Sequence, residues 1–148
     1  MKLLSVAIPC YNSEAYMRNC IHSLLAGGEE VEIIIVDDGS RDGTAAIADE
    51  YAEKYPTIVK AVHQENGGHG EAVNAGLRNA TGLYFKVVDS DDWVDNDANV
   101  KLLAQLREFE AHPIDLMVVN YVYEHTVDNT QQVMNYHGIL PQHKVFRW

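Results

Sequence analysis

The sequence predicts an α/β fold: a doubly wound, mostly parallel sheet with helices on both faces. Three observations carry that expectation. Short β-branched apolar runs recur along the chain, helical stripes of apolar residues fall between them, and each run ends in a polar or glycine-rich break. Strands alternating with helices at this spacing are the pattern of βαβ units. With 148 residues, 47% of them hydrophobic, the chain is long enough for one domain with a real core.

Leu3 to Ile8 reads as a buried strand stopped by Pro9. Asn12 or Ser13 can then cap a helix whose Met17, Cys20, Ile21, Leu24 and Leu25 form one apolar stripe, ended by Gly27 and Gly28. Val31 to Val36 is a β-branched strand broken by DDGS. A second helix covers Thr44 to Tyr55, with Pro56 beyond its end, and Ile58 to Val62 is a third strand. The loop NGGHG, residues 66 to 70, precedes a helix carrying Val73, Gly76, Leu77 and Ala80. Leu83 to Val88 is a fourth strand, Asp97 to Glu110 a helix, and Ile114 to Val122 a fifth strand. After Tyr123 the pattern changes, and EHTVDNTQQVMNYHGIL reads as a polar turn between two extended arms, a short β-hairpin-like extension. The expected division is therefore a core over residues 1–122 and a second region over residues 123–148.

Charge and composition remove several function classes. A formal net charge of -11 argues against a nucleic-acid partner, because a phosphate backbone needs basic surface. An acidic protein that handles a phosphate-bearing substrate needs a cation between the two. The two cysteines, Cys10 and Cys20, suggest neither a disulfide framework nor zinc spacing and read as buried free thiols. The opening MKLLSVAIPC has too short an apolar run for a leader, and Pro9 interrupts it. No stretch approaches the roughly 20 apolar residues of a membrane helix. The expected location is cytoplasmic.

In an open α/β sheet, ligands bind at the carboxyl ends of the strands. The first four predicted strands are followed by PCYN, DDGS, HQENGGHG and DSDDW, so four polar loops share one edge. In an extended segment Asp89 and Asp91 alternate around Ser90 and can point the same way. Hard oxygen ligands in that arrangement suit Mg²⁺ or Mn²⁺, which binds through one or two carboxylates plus substrate phosphates. A solvated, helix-capping acidic turn is the plain alternative. Asp37 and Asp38 either make a tight turn or accept a hydrogen bond from the N–H of a pyrimidine base. Tyr11 offers a flat ring for stacking or for packing. Gly67 and Gly68 permit close backbone approach to a ligand, while His69 can touch a phosphate or stand as a surface histidine. The GxGxxG fingerprint and the Walker lysine motif are both absent, and His112 and His125 belong to no metal-ligand spacing.

Taken together, SVAIPCYNSEAYMRNCIHSLL, EIIIVDDGSRDGT and NGGHGEAVNAGLRNATGLYFKVVDSDDW closely resemble the family 2 glycosyltransferases, inverting enzymes with the Rossmann-like GT-A fold. The resemblance covers residues 3 to 120. It implies that Pro9 and Tyr11 line a nucleobase pocket, that Asp38 holds the base, typically uracil, and that Gly67 and Gly68 flank the donor. It also implies that Asp89 and Asp91 are the family's D-x-D pair, Asp89 near the ribose or metal and Asp91 in direct metal contact, with Asp92 in support. The implied reaction moves a sugar from a nucleoside diphosphate, UDP above others, to a hydroxyl of a glycan, lipid-linked or protein acceptor, as in polysaccharide biosynthesis.

The family's catalytic base, usually an aspartate in a later acidic motif, has no matching context at Asp115, Glu124 or Asp128, and is expected beyond Trp148. That expectation leaves open a membrane association through the same missing region, at the inner face of the membrane. Two rival readings are a sugar-nucleotide-binding module without catalysis and a response-regulator receiver. The receiver is disfavoured because its acidic pair follows its first strand, whereas DDGS follows the second.

Overall fold

The computed structural model describes residues 1–125, 127–141 and 144–146. The chain falls into two compact units, Met1–Ala111 and His112–Trp148.

The first unit is built on β1 (Leu4–Cys10), β2 (Val31–Asp38), β3 (Val59–Gln64) and β4 (Tyr84–Val87), hydrogen-bonded in the order β3-β2-β1-β4. Every pairing is parallel. Right-handed crossovers put connections that run in opposite directions on opposite faces. The links from β1 to β2 and β2 to β3 step one way, through α1 (Met17–Leu25) and α2 (Thr44–Lys54). The link from β3 to β4 steps back through α3 (His69–Asn79), which packs Ala72 and Ala75 on Ile34 and Val36. Gly76 is required there, since a Cβ would lie 2.4 Å from that of Ala7. The fold is thus a mostly parallel sheet flanked by helices, with the order reversing between β1 and β4. A crevice at that reversal, outside the strands' carboxyl ends, is where such sheets bind ligands.

Pro9 does not end the first strand, contrary to expectation; it pairs with Val36 inside a central strand. The ladder's phase explains why this is tolerated. Val88 N–H donates to Ala7 C=O, so residue 9 also faces β4, and β4 has already ended at Val87. The missing proline N–H would have donated to Val88 C=O, so the β1–β4 ladder stops there while the pairing with β2 is untouched. Asn12 and Ser13 do not cap α1 either, whose first residue follows Tyr16 without a side-chain cap. Both are engaged between loops, as described below. Helix α4 (Asn96–Glu108) is capped by Asp95, whose carboxylate accepts the Ala98 N–H at 2.8 Å.

In the second unit, β5 (Tyr121–His125) and β6 (Thr130–Met134) form an antiparallel hairpin. Asp128 shapes the turn by accepting both the N–H and the hydroxyl of Thr130. The expected fifth strand over Ile114 to Val122 forms only at its last two residues. Residues 114–120 are in no strand, and Leu116, Val118 and Val119 are exposed. An apolar β-branched run becomes a strand only where a neighbour completes its ladder, and that tertiary partner overrides propensity. Among the described residues no helix is long and apolar enough to cross a membrane.

Candidate functional site

The four loops after β1 to β4 are cross-tied by short polar side chains. Asn12 N–H donates to Ser40 Oγ at 3.0 Å, and Asn12 Oδ1 accepts the Arg41 N–H at 2.9 Å. Ser13 N–H donates to Thr44 Oγ1 at 2.7 Å, while the Ser13 hydroxyl sits 2.9 Å from that of Ser90. These bonds hold the PCYN loop to both DDGS and DSDD.

Asp38 ties DDGS to the glycine loop. It is 3% exposed, and its carboxylate accepts three bonds: Gln64 Nε2 at 2.7 Å and Gly67 N–H at 2.8 Å on Oδ1, and Gly68 N–H at 2.9 Å on Oδ2. Burial alone would raise its pKa, but these donors hold it below the ordinary carboxylate value. The close approach also needs Gly39, with φ of 70°, where a Cβ would meet Asn66 N at 2.8 Å. Asp37 points elsewhere. It accepts the Ser40 N–H and lies 3.2 Å from His63 Nδ1, whose other nitrogen is 2.9 Å from Asp49; the two carboxylates raise the His63 pKa.

A cavity of about 340 Å³ opens at this edge, and Pro9, Tyr11, Asp38 and Gly68 all line it. Cys10, Asn66, His69 and Ala72 complete the lining. Gly67 serves through its N–H bond to Asp38 rather than at the wall. Sequence reasoning assigned no role to Cys10, Asn66 or Ala72. The signal for Asn66 was its place beside two glycines, since its amide donates to the Asp38 carbonyl at 3.1 Å. Cys10 is buried, and its thiol is pushed up to about 12 by burial and by Asp37, so it presents an inert surface.

The acidic residues behind β4 are not extended, so the alternation argument for Asp89 and Asp91 does not hold. Asp92 N–H donates to Asp89 C=O at 2.9 Å, closing a turn whose Ser90 is buried against Ser13. The carboxylates nonetheless share a neighbourhood, for burial first and then Asp91 and Asp89 raise the pKa of Asp92. The cluster does not cap α4, which takes Asp95 instead. Among the described residues no group of three His, Cys, Asp or Glu side chains is set to hold a metal unaided. The donor set of Asp89 and Asp91 is hard oxygen with crowded negative charge. That chemistry fits Mg²⁺ or Mn²⁺ with the remaining positions filled by phosphate and water. His69 stands between the two areas, its Nε2 3.8 Å from Asp89 Oδ1.

Comparison with known proteins gives a consistent family. The family model described as Glycosyl transferase family 2 matches residues 5–146. Glycosyltransferase GlyA of Streptococcus pneumoniae is 38% identical over 119 residues, which are 80% of this chain and 16% of GlyA. Among solved structures, S. aureus TarS in complex with UDP superposes with a TM-score of 0.63 at 35% identity, over 73% of this chain and 32% of that one. The mannosyltransferase PcManGT of Pyrobaculum calidifontis, in complex with GDP-Man and Mn²⁺, superposes with a TM-score of 0.59 at 31% identity, over 68% of this chain and 32% of that one. The chain thus spans about a third or less of the length of each of these proteins.

Proposed function

The chain belongs to glycosyl transferase family 2, and on that premise we propose that it carries the donor-binding part of an inverting, metal-assisted sugar transferase. The donor-binding core lies within residues 1–122, and residues 123–148 begin an acceptor-side region. The observation that carries the reading is the cavity at the sheet's carboxyl edge, where Pro9, Tyr11 and Asp38 meet. The base stacks on Tyr11 and bonds Asp38, with the glycine loop flanking the donor.

Asp38 also favours one kind of base. A carboxylate offers about four acceptor positions, and the chain's own donors fill three of them. One position remains, on Oδ2, which suits the single ring N–H of uracil. Guanine presents two adjacent N–H groups and would leave one unpaired. UDP is therefore the favoured diphosphate over GDP, and the UDP complex of TarS is in keeping with this.

Asp89 and Asp91 would hold Mg²⁺ or Mn²⁺, which when bound supplies Lewis-acid neutralisation of the diphosphate's charge. The bound Mn²⁺ of PcManGT supports that part of the reading. Transfer further needs a general base to take the proton of an acceptor hydroxyl on a glycan, lipid-linked or protein acceptor. The hydroxyl then attacks the anomeric carbon opposite the departing diphosphate, inverting its configuration. We place the base outside residues 1–148, so that these residues bind donor without efficient transfer.

Calorimetric titration of UDP, GDP and dTDP, with and without Mn²⁺, on the wild type and Asp91→Ala tests the reading. UDP binding that requires Mn²⁺ and disappears in Asp91→Ala supports it. A folded wild type that binds none of the three refutes donor binding, and efficient sugar transfer by residues 1–148 alone refutes the missing base.

A further inference from the structure

We propose that His69 is a diphosphate-contacting residue of the donor site, an inference that rests on the nucleotide-binding reading above. His69 lines the cavity that also holds Pro9, Tyr11 and Asp38. Its Nε2 stands 3.8 Å from Asp89 Oδ1, at the edge of the acidic turn. If a base occupies the first area and a cation the second, the diphosphate joining them passes the imidazole.

Beyond its ion-pair approach to Asp89, the ring keeps its hydrogen-bonding capacity for that group. A separation of 3.8 Å exceeds hydrogen-bond range, and the His69 ring makes no hydrogen bond among the described residues. The side chain is 65% exposed, so no packing role consumes it. A neutral imidazole carries one ring N–H, enough for one bond to a phosphate oxygen. The space beside it is open as well: a Cβ placed on Gly68 or on Gly70 would meet nothing within 4 Å. Phosphate oxygens can therefore reach the imidazole without displacing protein. The acidic surroundings make such a donor useful, because Asp38, Asp89, Asp91 and Asp92 otherwise repel the anion.

The test compares UDP with uridine on the full chain in Mn²⁺, using His69→Ala and His69→Gln. A hydrogen bond to a charged group predicts that His69→Ala lowers UDP affinity by about tenfold or more, with uridine affinity changed less than about twofold. His69→Gln, which keeps an N–H donor, recovers most of the loss. An exposed position makes misfolding of these variants no obstacle, and circular dichroism checks it. Unchanged UDP binding in His69→Ala overturns the proposal while leaving the donor site standing. Equal losses for UDP and uridine also overturn it, since the residue then shapes the base pocket. A wild type that binds neither ligand instead removes the nucleotide reading itself.

Discussion

Replacing Asp38 by asparagine tests how the site is built, independently of any ligand. The two side chains match in shape, so the change isolates charge and acceptor count. The asparagine side chain can keep an oxygen toward Gln64 and Gly67, but it then turns an NH₂ toward the Gly68 N–H, which Oδ2 of Asp38 accepts at 2.9 Å in the wild type. One hydrogen bond to a charged group is lost, about 1.5–3 kcal/mol, and two others fall to the neutral range of about 0.5–1.5 kcal/mol each. The exposed glycine loop can swing out and let water satisfy its amides, which limits the cost. The expected net loss is about 2 kcal/mol, or roughly 4–8 °C in Tm for a chain of this size. Urea denaturation at pH 7 measures the loss, and amide exchange at Gly67 and Gly68 locates it. In the wild type these amides should exchange slowly, and in Asp38→Asn at near the rate of an open loop. Because hydrogen bonding holds the Asp38 pKa below its ordinary 3.8, its stabilisation is present above that pH and fades as pH falls through the folded value. The wild type and variant should therefore converge in acid. A variant within about 0.5 kcal/mol of wild type at pH 7, with both glycine amides still protected, would show that Asp38 does not organise the loop.

Two further outcomes follow from the sheet. Glu32 is buried, and burial would raise its pKa, but Lys60 Nζ at 2.5 Å, the Ser5 hydroxyl and both donors of Thr81 bring it down from 4.5 to about 2. Its contribution is present above about pH 4.5 and lost as pH falls toward 2. After allowance for the half-exposed Lys60, that contribution is roughly 2–3 kcal/mol. Glu32→Gln should lower the urea midpoint at pH 7 and flatten the stability curve between those pH values; an unaltered acid limb would rule the network out. Gly76→Ala forces a methyl to 2.4 Å from the Ala7 Cβ, so α3 must shift off the sheet. About 1–3 kcal/mol of destabilisation is expected by thermal melting, despite alanine's better helix propensity, and a stabilised variant would contradict the packing described.

What the sequence made legible is what periodicity and turn chemistry encode. The stripe of Met17, Cys20, Ile21 and Leu24 is buried as its spacing requires, and β2 buries every residue of its β-branched run. Polar loops on one edge follow from alternating strands and helices alone. Three features were not legible, each for a physical reason. Pro9 sits inside β1 because its missing N–H falls on the β4 side, where the ladder ends, and which neighbour a residue faces is not a local property. The run from Ile114 to Asn120 has the composition of a core strand and forms none, an outcome that tertiary context rather than composition decides. Asn12 and Ser13 have the composition of helix caps, and nothing local distinguishes a serine that caps from one that bridges loops 77 residues apart.

Those bridging residues bear on how such a site can work at all. A donor pocket needs groups from several loops held in one geometry, and loops are ordinarily the most mobile parts of a fold. Here the first loop is bonded to the second through Asn12 and Ser13, and to the fourth through Ser90. The second is bonded to the third through Asp38 and Asn66. Each tie is made by a side chain with few rotatable bonds, so little conformational entropy opposes it. Every one of these ties runs between groups of the chain itself. Between the third and fourth loops the contact is the 3.8 Å approach of His69 Nε2 to Asp89 Oδ1.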